Sequence, residues 1–150
     1  MQKFLVAIAA AGLLGTVAHA QDEFTGDIAA GEKAFSQCQT CHVVVNDAGE
    51  TLAGRNAKTG PNLYGVFGRE AGSVEGFRYS DDMIAAGEKG LVWDVEHFVP
   101  YVEDPTGFLR EYLDDPKARG KMAFKVRGDE TARDLAAYLH SLAPDANSGS

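Results

Sequence analysis

Cys38-Gln39-Thr40-Cys41-His42 is the stretch of the sequence that decides the fold. Its spacing, C-x-x-C-H, is typical of the covalent attachment of a c-type haem. Cysteines three residues apart on a helical turn point the same way, so the two thiols can meet two vinyl groups on one edge of the porphyrin. The following His42 is then placed to bind the iron. The motif predicts one covalently attached haem c per chain.

Three other uses of this motif fit the rest of the sequence less well. A dithiol redox centre needs a βαβ setting, which the sequence does not predict. A zinc site needs four ligands, whereas the sequence has two cysteines and only isolated histidines. A disulfide between Cys38 and Cys41 would close a very small loop and add little stability.

Composition indicates one folded domain with an acidic surface. The 150 residues are 45% hydrophobic and 24% charged, and 22 acids against 14 bases give a net charge of −8. Phosphate contacts need a basic face, so the composition argues against nucleic acid as a partner. No apolar stretch reaches the roughly 18 residues that a membrane-spanning helix requires.

The first twenty residues have the pattern of a secretory signal peptide. A short positive start is followed by the apolar stretch 4–14 and by the small-x-small site Ala18-His19-Ala20. We expect cleavage after Ala20, which leaves residues 21–150 as one domain in the periplasm. Residues 143–150, small and polar, are predicted to form a flexible tail.

Helix signals along the mature chain are separated by long loops. N-cap residues predict a helix from 27 towards 41 and four more that begin after Ser80, Asp94, Thr106 and Asp129. Pro100 interrupts the pattern of the helix that begins after Asp94. Residues 46–76 are rich in turn signals, and so long a loop is expected to wrap around something. Strand signals are weak. The predicted class is all-α, with short helices and long loops around one haem that fills the core.

Several further stretches resemble the class I cytochromes c, most closely the bacterial c2 type. They are residues 31–35, 59–69, 76–80, 120–124 and 135–139, and the resemblance runs from 27 to 142. It implies the single-domain class I cytochrome c fold, in which Gly31, Phe35, Leu135 and Tyr138 form the crossing of the first and last helices.

The resemblance implies that Met122 is the second axial ligand of the iron. A soft thioether favours Fe(II) and raises the reduction potential. Met83 is the competing methionine, which we interpret as a core residue on a helix. His97 or His140 would instead give ligation by two histidines.

The same resemblance assigns residues around the cofactor. The Pro61 carbonyl is expected to accept a hydrogen bond from the His42 ring. Arg69, Tyr79 and Trp93 are expected to partner the haem propionates, whose charge is costly to bury alone. Tyr101 is expected beside the methionine ligand, although Tyr112 has the same spacing to a following proline.

The resemblance also implies a function. It indicates a soluble periplasmic one-electron carrier, not an enzyme, that acts as a monomer. Electrons would pass from a quinol-oxidising cytochrome bc complex to a photosynthetic reaction centre or a terminal oxidase, with only transient contact to these membrane proteins. The alternative is a ligand-binding or peroxidase-like c-type haem protein.

A basic segment surrounds the predicted methionine ligand. Residues 117–127 contain five bases and no acid, namely Lys117, Arg119, Lys121, Lys125 and Arg127. On an otherwise acidic protein, such a positive face would steer the molecule onto an acidic partner.

Overall fold

The computed structural model describes residues 23–146, in which helices predominate. The predicted signal peptide and residues 147–150 of the predicted tail lie outside this range. The elements are α1 Ile28–Phe35, β1 Val44–Val45, β2 Thr51–Ala53, α2 Asp81–Glu88, α3 Val95–Glu103, α4 Pro105–Leu113 and α5 Asp129–Leu142. The strands form one small antiparallel ribbon. The all-α class is confirmed, and no helix within residues 23–146 is long and apolar enough to cross a membrane.

Three helices begin where the sequence predicts, because a side-chain oxygen caps each first turn. Asp27 accepts from the Ala30 amide at 2.8 Å, and Asp94 accepts from the His97 amide at 2.8 Å. Ser80 caps α2 in the same way. These bonds satisfy amides that have no partner within the helix.

Two predicted caps are wrong. Helix α4 begins at Pro105 instead of after Thr106, and Asp104 accepts from the Gly107 amide at 3.2 Å. Proline suits the first helical position because its missing N–H would be unpaired there anyway. Helix α5 is preceded by Gly128, which has φ 94° and provides no side-chain cap, so Asp129 is its first residue.

Two helices differ in length from the prediction. Helix α1 ends at Phe35, and the motif continues as tight turns in which the His42 amide donates to the Cys38 carbonyl at 2.9 Å. Helix α3 continues through Pro100. Four apolar residues of α3 are buried, and this packing outweighs the local cost of the proline.

Helices α1 and α5 cross at close range, as the resemblance implies. A Cβ on Gly31 would lie 2.0 Å from the Asp134 carbonyl oxygen, so only glycine permits this approach. The rings of Phe35 and Tyr138 pack beside the crossing, with centroids 5.8 Å apart. Leu135 is also buried there. The crossing fixes the frame around which the loops wrap.

Candidate haem site

The helices and loops surround a mostly apolar cavity of about 380 Å³. Its lining comes from the motif, the long loop, α2, α3, the segment around Met122, and α5. All nine residues predicted to touch the cofactor line this one cavity: Cys38, Cys41, His42, Pro61, Arg69, Tyr79, Trp93, Tyr101 and Met122. The fold therefore brings together side chains that are distant in sequence.

His42 is held with one ring nitrogen available. Its Nδ1 lies 2.9 Å from the Pro61 carbonyl oxygen. Because a carbonyl can only accept, Nδ1 carries the proton and Nε2 keeps its lone pair for a metal. Burial lowers the pKa of His42, which outweighs the opposite effect of the Pro61 bond, so the neutral ring is favoured.

Gly60 makes room for the His42 ring. A Cβ on Gly60 would lie 2.4 Å from His42 Cε1, well inside van der Waals contact. The Gly60 amide also donates to the Cys41 carbonyl at 2.7 Å, which ties the loop to the motif. Sequence reasoning missed this contact, and the only signal is a glycine directly before Pro61.

The two thiols are free and lie at the cavity wall. Burial, together with the charge of Cys41, raises the pKa of the Cys38 thiol to about 11. Within residues 23–146, no group of three or more His, Cys, Asp or Glu side chains could hold a metal ion. That part of the chain offers no support for a zinc site.

Both internal methionines line the cavity, whereas His97 and His140, the other histidines among the described residues, do not. Met83 is buried on α2, whereas Met122 is half-buried in a segment without helix or strand. His97 Nδ1 lies 2.8 Å from Asp94, and the His140 ring stacks on Phe24 with centroids 3.8 Å apart. Two thioethers, those of Met83 and Met122, thus line the same cavity as His42.

The charge of the cavity is positive. The half-buried Arg69 guanidinium donates to the carbonyls of Tyr64 and Asn62, at 3.0 and 3.1 Å. Burial lowers its pKa, and Lys121 also lines the cavity. Among the described residues, no Asp or Glu lines it. A partly desolvated guanidinium without a carboxylate is incompletely compensated, so an apolar group with acidic substituents suits the cavity.

Three predicted aromatic residues, Tyr79, Trp93 and Tyr101, line the cavity. Trp93 and Tyr101 pack together with ring centroids 4.8 Å apart. Burial raises the pKa of Tyr101, and it also raises that of Tyr79, where Arg69 opposes it. Tyr112, the alternative to Tyr101, is not among the described lining residues and stacks on Phe108. Position thus favours Tyr101 as the tyrosine of the site.

The five basic residues of 117–127 are all exposed. Two of their side chains, those of Lys121 and Lys125, contact other described residues. The Lys125 ammonium lies 2.8 Å from Asp104, which makes Lys125 the one base of the five in a salt bridge within the described chain. The Lys121 ammonium donates to the Arg78 carbonyl, a contact that leaves its charge unbalanced. The segment therefore stays positive beside Met122.

The residues present fit a covalently bound haem. The cavity combines two thiols, a neutral imidazole, thioethers, an apolar wall and a half-buried cation suited to a propionate. Together with the crossing of α1 and α5, this site defines a class I c-type cytochrome.

Comparison with known proteins gives the family. The chain is 68% identical over 120 residues to cytochrome c2 of Rhodovulum adriaticum, covering 80% of this chain and 95% of that protein. It is 56% identical over 142 residues to cytochrome c2 of Cereibacter sphaeroides, covering 94% of each. The X-ray structure of cytochrome c2 from Rhodobacter sphaeroides matches with a TM-score of 0.77 at 60% identity, over 79% of this chain and 97% of that one.

No protein-family model matches the chain. The identities and coverage nevertheless show that the chain belongs to the cytochrome c2 family. It is an electron-carrier cytochrome with one covalently bound haem c.

Proposed function

We propose that the protein is a one-electron carrier in which His42 and Met122 fill both axial positions of the haem iron. The observation that carries this proposal is that the Met122 thioether lines the same cavity as the His42 ring, whose Nδ1 is occupied by the Pro61 carbonyl. When bound, the haem supplies an iron that gains or loses one electron. With both positions filled by the protein, the iron has no open site for a substrate or a gas.

The residues of the cavity have separate tasks in this proposal. Cys38 and Cys41 attach the cofactor, so it cannot diffuse away. His42 is oriented by Pro61 and Gly60, which limits movement between oxidation states. The soft sulfur of Met122 favours the reduced state. Arg69, Tyr79 and Trp93 would bind the propionates, and the apolar wall would keep the dielectric constant around the haem low.

Carbon monoxide separates this proposal from the ligand-binding or peroxidase-like alternative. We expect the reduced protein to keep its absorption spectrum when carbon monoxide is added, because both axial positions are filled. A potentiometric titration should follow a one-electron curve. A rapid spectral change with carbon monoxide would show an open position and support the alternative.

We further propose that the protein works in the periplasm as a monomer after loss of its signal peptide. It would carry electrons from a quinol-oxidising cytochrome bc complex to a photosynthetic reaction centre or a terminal oxidase. The positive segment 117–127 supports this role, because it places unbalanced charge beside Met122 on a protein of net charge −8. Such charge speeds the formation of short-lived complexes with acidic surfaces.

Charge reversal in this segment should slow the encounter with the partner. Lys121→Glu should reduce the association rate with a purified reaction centre by roughly two- to tenfold at low salt. Lys125→Glu should have a smaller effect, because Asp104 already offsets that charge. Added salt should slow the wild-type reaction. The rates can be measured by flash-induced oxidation.

Arg133→Glu is the matched control for Lys125→Glu, because each variant reverses an exposed base that is paired with an aspartate. Arg133 is exposed on α5, pairs with Asp129 at 2.7 Å and does not line the cavity. If Arg133→Glu lowers the association rate as much as Lys121→Glu and Lys125→Glu do, segment 117–127 is not the docking surface. A wild-type association rate that does not fall with added salt would show the same.

A further inference from the structure

We propose that Asp82 is a positioning residue for the segment that carries Met122. This inference rests on the proposed role of Met122 as an axial ligand. The Arg119 amide donates to Asp82 Oδ2 at 2.7 Å, a contact between residues 37 positions apart. It connects the first turn of α2 to a residue three positions before Met122. Neither residue has a part in the proposed attachment or ligation of the haem.

The segment 118–126, here called the methionine segment, has little structure of its own. It contains no helix or strand. Its two ends are buried and anchored: the Ala118 carbonyl accepts from Arg110 Nε at 3.3 Å, and the Val126 amide donates to the Val102 carbonyl at 2.8 Å. Between these ends most residues are exposed. Contacts in the middle therefore decide how firmly the methionine is held.

The middle of the methionine segment is held by the stretch 78–82. Asp82 accepts from the Arg119 amide, and the Arg78 carbonyl accepts from the Lys121 ammonium. The two contacts lie on either side of Gly120. A Cβ added to Gly120 would lie only 3.0 Å from Leu109 Cδ1, so the segment packs closely there. The residue after the second contact is Met122. The stretch 78–82 thus holds the methionine segment directly before the proposed ligand Met122, and we call this pair of contacts the clasp.

Asp82 is suited to this task because it stands on a rigid element. Helix α2 is capped by Ser80 and packs through Met83, Ala86 and Gly87, all buried. Asp82 is half-buried in the first helical turn, where the helix dipole stabilises a carboxylate. A hydrogen bond from an amide to a carboxylate is also stronger than one between neutral groups.

The clasp would act on the competition between Met122 and other ligands. An external ligand can reach the iron only when the methionine has moved away, so its apparent affinity is proportional to the population of the open segment. Loss of the Asp82 contact releases the Arg119 amide and increases that population. Asp82 therefore controls how often Met122 leaves its axial position, although Asp82 itself does not touch the cofactor.

The experiment compares Asp82→Ala, Asp82→Asn and Asp81→Ala in the haem-containing oxidised protein. Asp81→Ala is the matched control. It removes the same charge from the same helical turn. In contrast to Asp82, the exposed Asp81 carboxylate accepts no side-chain hydrogen bond among the described residues. Asp82→Asn keeps an oxygen that can accept from Arg119. Imidazole is the probe, and its binding is followed by loss of the far-red sulfur-to-iron band.

We expect Asp82→Ala to raise the apparent imidazole affinity by roughly three- to tenfold, the usual net effect of losing one hydrogen bond, because the Arg119–Asp82 contact is exposed to solvent. Asp82→Asn should give a smaller rise, and Asp81→Ala should match the wild type. Hydrogen exchange of the amides in 119–126 should be faster in Asp82→Ala only. A purely structural role would lower the melting temperature without changing imidazole affinity relative to Asp81→Ala.

If Asp82→Ala and Asp81→Ala have equal imidazole affinity and equal hydrogen exchange of the amides in 119–126, the proposal that Asp82 positions the methionine segment is wrong. That result would leave the axial role of Met122 intact. Absence of the far-red band from the wild type would instead overturn the axial role, and the exchange rates would still decide whether Asp82 holds the methionine segment.

Discussion

Replacement of both Cys38 and Cys41 by Ala should leave the haem-free chain without a stable fold. A cavity of about 380 Å³ would then remain in the core. At roughly 24 cal/mol per Å³, a cavity of that size costs on the order of 9 kcal/mol if the walls do not collapse. The whole stability of a domain is about 5–15 kcal/mol. Far-ultraviolet circular dichroism during heating would measure the loss.

We expect the short helices not to form a stable fold without the cofactor. Helices α1 and α2 have eight residues each, and helices of that length are marginal without tertiary packing. The single variant Cys38→Ala is the control. It keeps attachment through Cys41 and should still unfold cooperatively, at a lower temperature. A cooperative transition at the wild-type temperature in the haem-free double variant would contradict the prediction.

Sequence reasoning succeeded where the physical cause is local. The motif predicts attachment through Cys38 and Cys41 because the two vinyl groups of the porphyrin dictate their spacing, and it places His42 at the same cavity. Caps such as Asp27 and Asp94 could be predicted because each bond spans only three residues. The predicted start of α4 was wrong because two residues before Thr106 suit a helix start better. Asp104 caps the helix, and Pro105 is its first residue.

Contacts between distant loops could not be predicted from local patterns. The approach of Gly60 to His42 and the bond from Arg119 to Asp82 depend on how the loops settle around the cavity. Pro100 illustrates the same limit, since burial of α3 outweighs a local signal against helix. The places of Arg69 and Tyr101 in the site came from resemblance to a family, because neither spacing nor periodicity identifies a residue that lines a cofactor cavity.

Met122→Ala should abolish the far-red sulfur-to-iron band of the oxidised protein and lower the reduction potential. The loss of a soft axial ligand removes a preference for the reduced state. Axial ligands set haem potentials over a range of about 0.8 V, and we expect a decrease on the order of a few tenths of a volt. The reduced variant should also bind carbon monoxide, because one axial position becomes open. Optical spectra and a potentiometric titration measure these changes.

Met83→Ala is the control that decides between the two thioethers of the cavity. Met83 is 5% exposed on the buried face of α2, so its truncation should lower the free energy of unfolding by about 2–5 kcal/mol. The band and the potential should stay as in the wild type, because Met122 still fills the axial position. The two variants therefore separate core packing from ligation. If Met83→Ala removes the band and Met122→Ala keeps it, the axial role belongs to Met83, and the methionine segment serves docking alone.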